Sequence, residues 1–244
     1  VKFKLDANSR ISLSNNDSSG AVGTTLLGYN AGLSIVSGAI NNTFIGHAVS
    51  DATMTDAADN NTAVGMNSLS ALTSGNHNTA LGSHSLYSTT SGSYNVGIGL
   101  SALENNATTS NNTATGHQAG KYTTGADNTY VGYKAGEGTA GADANNVGVG
   151  SSALVAVIAG HSNSVVGESA GAAITSGSNN VIMGRGAGAT LNTSGSNVLL
   201  GRSAGLVIAA GQTGTDGTLA VGASALTALT SGASNTAVGY IAGK

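Results

Sequence analysis

The chain has no cysteine, no tryptophan and no proline in 244 residues, and only two phenylalanines. Without cysteine there is no disulfide framework and no thiolate metal site, and the redox compartment stays open. Charge is equally scarce. Eight basic and eleven acidic residues are scattered singly, so no basic stripe exists to follow a phosphate backbone. No apolar run approaches the roughly 18 residues of a membrane-spanning helix. With few large side chains, little apolar area is available at roughly 25 cal/mol per Å² buried. A thin core of Ala, Val, Leu and Thr must therefore be supported by dense backbone hydrogen bonding and by neighbouring chains. Disorder is the rival reading, but it goes with low hydrophobicity and high net charge. This chain is 40% hydrophobic with a net charge of −3.

What is present in excess is glycine, 38 residues, about twice the usual share. Much of it falls on a period. The motif Asn-(Thr/Val)-x-(Val/Leu/Ile)-Gly closes on Gly28, Gly46, Gly65, Gly82, Gly99, Gly116, Gly132, Gly150, Gly167, Gly184, Gly201, Gly222 and Gly239, in steps of 16 to 21 residues, most often 17. Such a period is the mark of a solenoid and outranks local motifs. The expected fold is an all-β parallel β-solenoid (β-roll or β-helix) of about thirteen coils of ~17 residues, stacked at about 4.8 Å into a rod on the order of 60 Å. Each coil is expected to supply one or two short strands.

Within the repeat, alternation of apolar and small residues indicates a short strand. The second and fourth motif positions share a face, which is assigned to the interior. The third holds Gly97 and Gly148 but also Phe44 and Tyr130 and is expected to face solvent or another chain. The closing glycine allows a sharp corner at φ > 0. A small residue, mostly alanine, follows three positions later (Ala102, Ala119, Ala135), with Leu or Gly after it (Leu69, Leu86, Gly120, Gly171). Asparagine opens the coil at Asn42, Asn61, Asn78, Asn95, Asn112, Asn128, Asn146, Asn163, Asn180, Asn197 and Asn235. An asparagine column can stack amide on amide along the axis.

Residues 1–23 stand apart as a lead-in or capping segment, with alternating strands at Val1–Asp6 and Arg10–Ser14, and residues 24–244 form the repeat region. The chain reads as a piece of a longer polypeptide. Extra residues fall at 42–60, 128–145 and 197–217, and insertions in a solenoid emerge as loops, often on the binding face.

The string Asn-Thr-Ala-Val-Gly-Met-Asn-Ser-Leu-Ser-Ala-Leu-Thr-Ser-Gly from Asn61 to Gly75 resembles the repeats of phage tail-fibre and tailspike proteins, which often precede a self-cleaving chaperone domain of the endosialidase type. Leu5 to Gly20 looks like a segment that leads into such repeats. More distantly, the motif is similar to the head repeats of trimeric autotransporter adhesins, where three chains lie side by side. The resemblance implies a structural fibre segment of the virion, a homotrimer that acts as a stiff spacer and display rod for host-surface attachment. A host cell-surface glycan or protein is the implied partner, without nucleic acid or membrane insertion. The adhesin period is shorter, and no chaperone or catalytic segment is present, so maturation chemistry is not placed here.

Motifs that look like chemistry are absorbed by the repeat. Gly167–Gly171 and Gly201–Gly205 match the G-x-S-x-G nucleophile elbow, which needs a strand–turn–helix and an acid–His pair; both copies fall at one repeat position. Gly97–Ala102 and Gly148–Ala153 match G-x-G-x-x-A without the helix a dinucleotide needs. The five histidines, His47, His77, His84, His117 and His161, fall at four repeat positions and read as solvated surface. Asp51, Asp56 and Asp59 read as a solvated turn before a cation loop. No enzyme, cofactor or metal is expected. The alternatives are a cellular surface adhesin or self-assembling extracellular filament and, behind these, an ice-binding solenoid. The column of Thr43, Thr62, Thr79, Thr113, Thr129 and Thr236 suggests ice binding, and its inward assignment argues against it.

Overall fold

The computed structural model describes residues 9–13 (backbone only), 22–206, 216–229 and 231–243. The chain is all-β: the described residues hold strands, turns and bends and no helix. It divides into two units, Val1–Asn112 and Thr113–Lys244. The first carries β1 (Ser9–Leu13), β2 (Thr25–Tyr29), β3 (Thr43–Ile45), β4 (Thr62–Val64), β5 (Thr79–Leu81) and β6 (Val96–Ile98). The second carries β7 (Thr113–Thr115), β8 (Thr129–Val131), β9 (Val147–Val149), β10 (Ser164–Val166), β11 (Val181–Met183), β12 (Val198–Leu200), β13 (Leu219–Val221) and β14 (Thr236–Val238). Within each unit, successive strands from β2 onward pair in parallel, with each residue opposite its counterpart one coil on, as in Thr62↔Thr79 and Val181↔Val198. This is a parallel β-solenoid with one strand per coil. β1 is the exception and pairs antiparallel with β2, Ser9 opposite Tyr29. The strand expected at Val1–Asp6 lies outside the described residues, as do residues 207–215 of the insertion at 197–217.

The assignment of faces is reversed by the structure. From β2 onward the third motif position is buried (Leu26, Phe44, Ala63, Tyr130, Val165, Ile182, Leu199), while the second and fourth motif positions are half-buried or exposed. The period of two held and its phase did not. The reason lies in the asparagine at the first position, which is fully buried from Asn42 through Asn197. Because side chains alternate across a strand, an inward asparagine forces the third position inward with it.

Once inward, an asparagine of the ladder satisfies its whole amide on the coils beside it. The Oδ1 of Asn61 accepts the backbone N–H of Asn78 at 2.9 Å and its Nδ2 at 3.1 Å, while Asn61 Nδ2 donates to Asn42 Oδ1 at 3.1 Å and to the Gly75 carbonyl at 3.0 Å. In the second unit Asn146, Asn163, Asn180 and Asn197 repeat the Oδ1 bonds in turn. Both amide hydrogens and the oxygen are used, which is what burial of a side-chain amide requires. Threonine substitutes twice. Thr24 Oγ1 accepts the Asn42 N–H at 3.3 Å, and the Thr218 N–H donates to Asn197 Oδ1 at 3.0 Å. Asn235 leaves the pattern and its Nδ2 turns to the Gly232 carbonyl.

The thirteen corner glycines all have φ between 128° and 139°, a region essentially closed to other residues. Space closes it as well, since a Cβ on Gly65, Gly82 or Gly150 would stand 2.6 Å from backbone atoms of the corner glycine one coil on. After the corner the chain alternates through left-handed residues two and four positions later, Asn67 (φ 56°) and Leu69 (φ 49°) in one coil. Coil-to-coil bonding continues through this stretch. Asn67 N–H reaches back to the His47 carbonyl at 2.9 Å, and Leu69 N–H reaches forward to that of Ser85 at 3.1 Å. The second wall is thus a bonded turn stack and not a strand.

Between the walls there is room for about one large side chain per coil. Where the strand offers Ala63, Ala80, Gly97, Gly148 or Ala220, the turn wall offers Leu69, Leu86, Leu103, Leu154 or Leu226. Where the strand offers Leu26, Tyr130, Val165, Ile182 or Leu199, the turn wall has Gly32, Gly136, Gly171, Gly188 or Gly205. The exchange is steric. A Cβ on Gly188 would lie 2.9 Å from Leu191 and from Leu199, and one on Gly136 would enter the Tyr130 ring.

Candidate functional site

The inward turn of asparagine and the middle strand residue leaves the other two strand positions looking out. In the first unit they are Thr25, Thr43, Thr62, Thr79 and Val96 in one column and Leu27, Ile45, Val64, Leu81 and Ile98 in the next. In the second they are Thr113, Thr129, Val147, Ser164, Val181, Val198, Leu219 and Thr236, beside Thr115, Val131, Val149, Val166, Met183, Leu200, Val221 and Val238. None of these residues is charged. Leu81 is 48% exposed, Val181 44% and Met183 54%. Parallel sheets are almost always covered on both faces, and a contiguous exposed apolar strip marks an interaction surface. This outer sheet face is the first candidate site. The threonine column belongs to it, which corrects the inward placement that had argued against ice binding.

The chain matches no family model, no curated protein and no solved structure.

The corner glycines and the asparagine column position this face without touching what would lie on it. Both G-x-S-x-G copies sit on the corner, with Ser169 and Ser203 at left-handed φ of 54° and 57° and, among the described residues, no helix after them. Neither G-x-G-x-x-A segment leads into a helix. The histidines do more than meet solvent. His47 stacks on Tyr29 at 5.2 Å between ring centroids, His77 on Tyr94 at 4.9 Å and His117 on Tyr133 at 5.5 Å, while His84 tilts against Tyr87 at 5.3 Å. The stacked pairs join equivalent positions of successive coils, so register alone pairs them. That signal was present in the column alignment. His161 is exposed, its Nδ1 3.3 Å from Ser162 Oγ. Among the described residues no three of His, Asp and Glu gather to hold a metal. Asp59 accepts the Ile40 N–H at 2.7 Å and Asp51 the Ser70 hydroxyl at 2.6 Å, so the acidic loop bonds to neighbouring coils instead of converging.

A buried ionisable pair went unnoticed in the sequence. The Tyr130 hydroxyl donates to Asp143 Oδ2 at 2.7 Å, with both residues buried. Burial pushes the Asp143 carboxyl up to about 6, against the pull of the Tyr130 hydrogen bond and backbone amides. Burial, and then the Asp143 charge, hold the Tyr130 phenol well above its ordinary value. The pair fills one coil and has no opening in which to do chemistry. Among the described residues, no helix is long and apolar enough to cross a membrane.

Proposed function

We propose that the chain is a structural β-solenoid segment of a surface appendage, a viral tail fibre by its resemblance, which packs side by side with copies of itself as a homotrimer. It spaces and displays host-attachment groups at the virion surface. The observation that carries this reading is the uncharged outer sheet face. At roughly 50 Å² exposed per half-buried side chain, the outward residues of β7–β14 offer on the order of 800 Å², about one partner's share of a standard interface. A second copy is the fitting occupant because it brings the same flat, charge-free columns at the same ~4.8 Å spacing. Coil-to-coil backbone bonds, the asparagine ladder and the corner glycines support the mechanical part. They stiffen each unit along its stacking direction with small residues alone. A cellular adhesin or extracellular filament would use the same face.

The test is the solution mass by light scattering with far-UV circular dichroism. The expected result is a β-rich trimer, and Val166→Lys with Val181→Lys should lower the mass to that of one chain while keeping the spectrum. A wild-type monomer sinks the proposal, and open-ended polymers favour the filament. The outward run Thr25, Thr43, Thr62 and Thr79 favours ice binding as a second reading. A monomer that slows ice growth, and loses this with Thr62→Lys, would put it first.

A further inference from the structure

The position two residues after each corner glycine is left-handed throughout, and side chains accept it: Asn30, Asn67, Ser101, Gln118, Ser169, Ser203 and Ser224 all lie at φ between 54° and 58°. Gly186 is the one glycine of that column. Neither conformation nor crowding demands it, since Ser169 and Ser203 hold the same conformation in the coils on either side. A Cβ there would meet nothing nearer than Leu206 Cδ1 at 3.9 Å and Ser203 Oγ at 4.0 Å. What the missing side chain leaves is a notch of about 210 Å³ lined by Glu168, Ser169, Arg185, Gly186 and Ser203. Two of the chain's three arginines, Arg185 and Arg202, follow one another in the column beside it.

The geometry points to this notch as a binding site for an acidic sugar residue, one hydroxylated, carboxylate-bearing ring. Arg185 spends Nε on Glu168 Oε2 at 3.1 Å, and both side chains remain more than half exposed. An exposed pair of this kind is weak and leaves the outer guanidinium edge for a carboxylate, the geometry at which arginine excels. Glu168 argues against a bare anion, because its carboxylate repels phosphate or sulfate and instead accepts from hydroxyl donors. Ser169 and Ser203 donate and accept on either side. A ligand that satisfies the whole rim carries a negative group and several hydroxyls on one small ring. The site depends on the display reading for its use and not for its existence, since a monomeric wild type would sink the trimer and leave sugar binding untouched.

Saturation-transfer NMR and titration of the full chain with methyl β-glucuronide, with methyl β-glucoside as the neutral control, test it. The expected result is binding of the glucuronide at least tenfold tighter than the glucoside. Gly186→Ser, which restores the column's ordinary residue, should weaken it tenfold or more with an unchanged circular dichroism spectrum, and Arg185→Gln should do the same. Ser101→Ala, at the same repeat position in the first unit, should leave it unaltered. Absence of glucuronide binding, equal binding of the two sugars, full binding by Gly186→Ser, or displacement by inorganic phosphate at equal concentration would overturn the proposal.

Discussion

In coils 61–104 of the first unit the strand contributes Ala63, Ala80 and Gly97 to the interior, and Leu69, Leu86 and Leu103 fill it from the turn wall. In coils 163–205 of the second unit Val165, Ile182 and Leu199 fill it from the strand, facing Gly171, Gly188 and Gly205. Core volume per coil is held nearly constant while its source changes walls. The leucines of the first arrangement sit at φ of 49–52°, a left-handed conformation that costs roughly 1–2 kcal/mol per residue. The glycines of the second remove that strain but give up side-chain area. In these coils two columns that each look variable together hold one nearly constant volume, and either arrangement accepts the same corner and the same asparagine ladder. Outside, the same coils differ too, with threonine at Thr62 and Thr79 against valine at Val181 and Val198.

The largest effect should be blind to this difference. Gly82→Ala and Gly184→Ala each place a methyl at φ near 130°, about 2.6 Å from the next coil's backbone. Each should lower stability by on the order of 3 kcal/mol or more. Urea melts giving under 1 kcal/mol for either variant would show that the corner relaxes. The wall exchange comes next. Ile182→Ala should lose about 3 kcal/mol through a cavity, and Ala80→Leu about 1–3 kcal/mol by overpacking. Adding Leu86→Ala to Ala80→Leu should recover part of that loss, since the leucine would then come from the strand as it does at Leu199. A strictly additive double-mutant cycle would break the comparison. Asn163→Ala should cost about 2–3 kcal/mol, because it leaves the Asn180 N–H and Nδ2 without their shared acceptor. Asn78→Ala should match it in the other arrangement, and a clear difference between the two melts would tie the ladder to the core type.

The smallest effect lies at Asp143. Its carboxyl is near 6 when folded and near 3.8 in the unfolded chain, so well below pH 3.8 both states hold the proton and the group is neutral to stability. Between about pH 4 and 6 the unfolded chain ionises first and stability falls as pH rises, and the loss is complete once pH is well above 6. Asp143→Asn should remove that slope. Parallel urea midpoints for wild type and variant from pH 4 to pH 7 would contradict the assignment.

Much of the fold was legible in the sequence because a repeat is a statement about register. The spacing from Gly28 to Gly239 gave the coils, their parallel pairing and the corner conformation, and the asparagine column gave the ladder. The phase of the strand was not legible from apolar content. Val, Leu and Ile at the outward positions look more buried than Ala63 or Gly97 at the inward ones. The asparagine, a polar residue, was the true marker of the interior. The Tyr130–Asp143 pair was hidden because Asp143 belongs to an insertion whose position in the coil has no spacing rule.

By itself the sequence determined the periodicity, the strand and corner positions and the residues repeated at each, because backbone pairing between identical coils depends only on spacing. The tertiary structure decided which side of the strand is inside, which wall supplies the large side chain of each coil, and which columns lie side by side on the surface. Those depend on how much volume two facing walls leave between them, and no single column of the sequence contains that quantity.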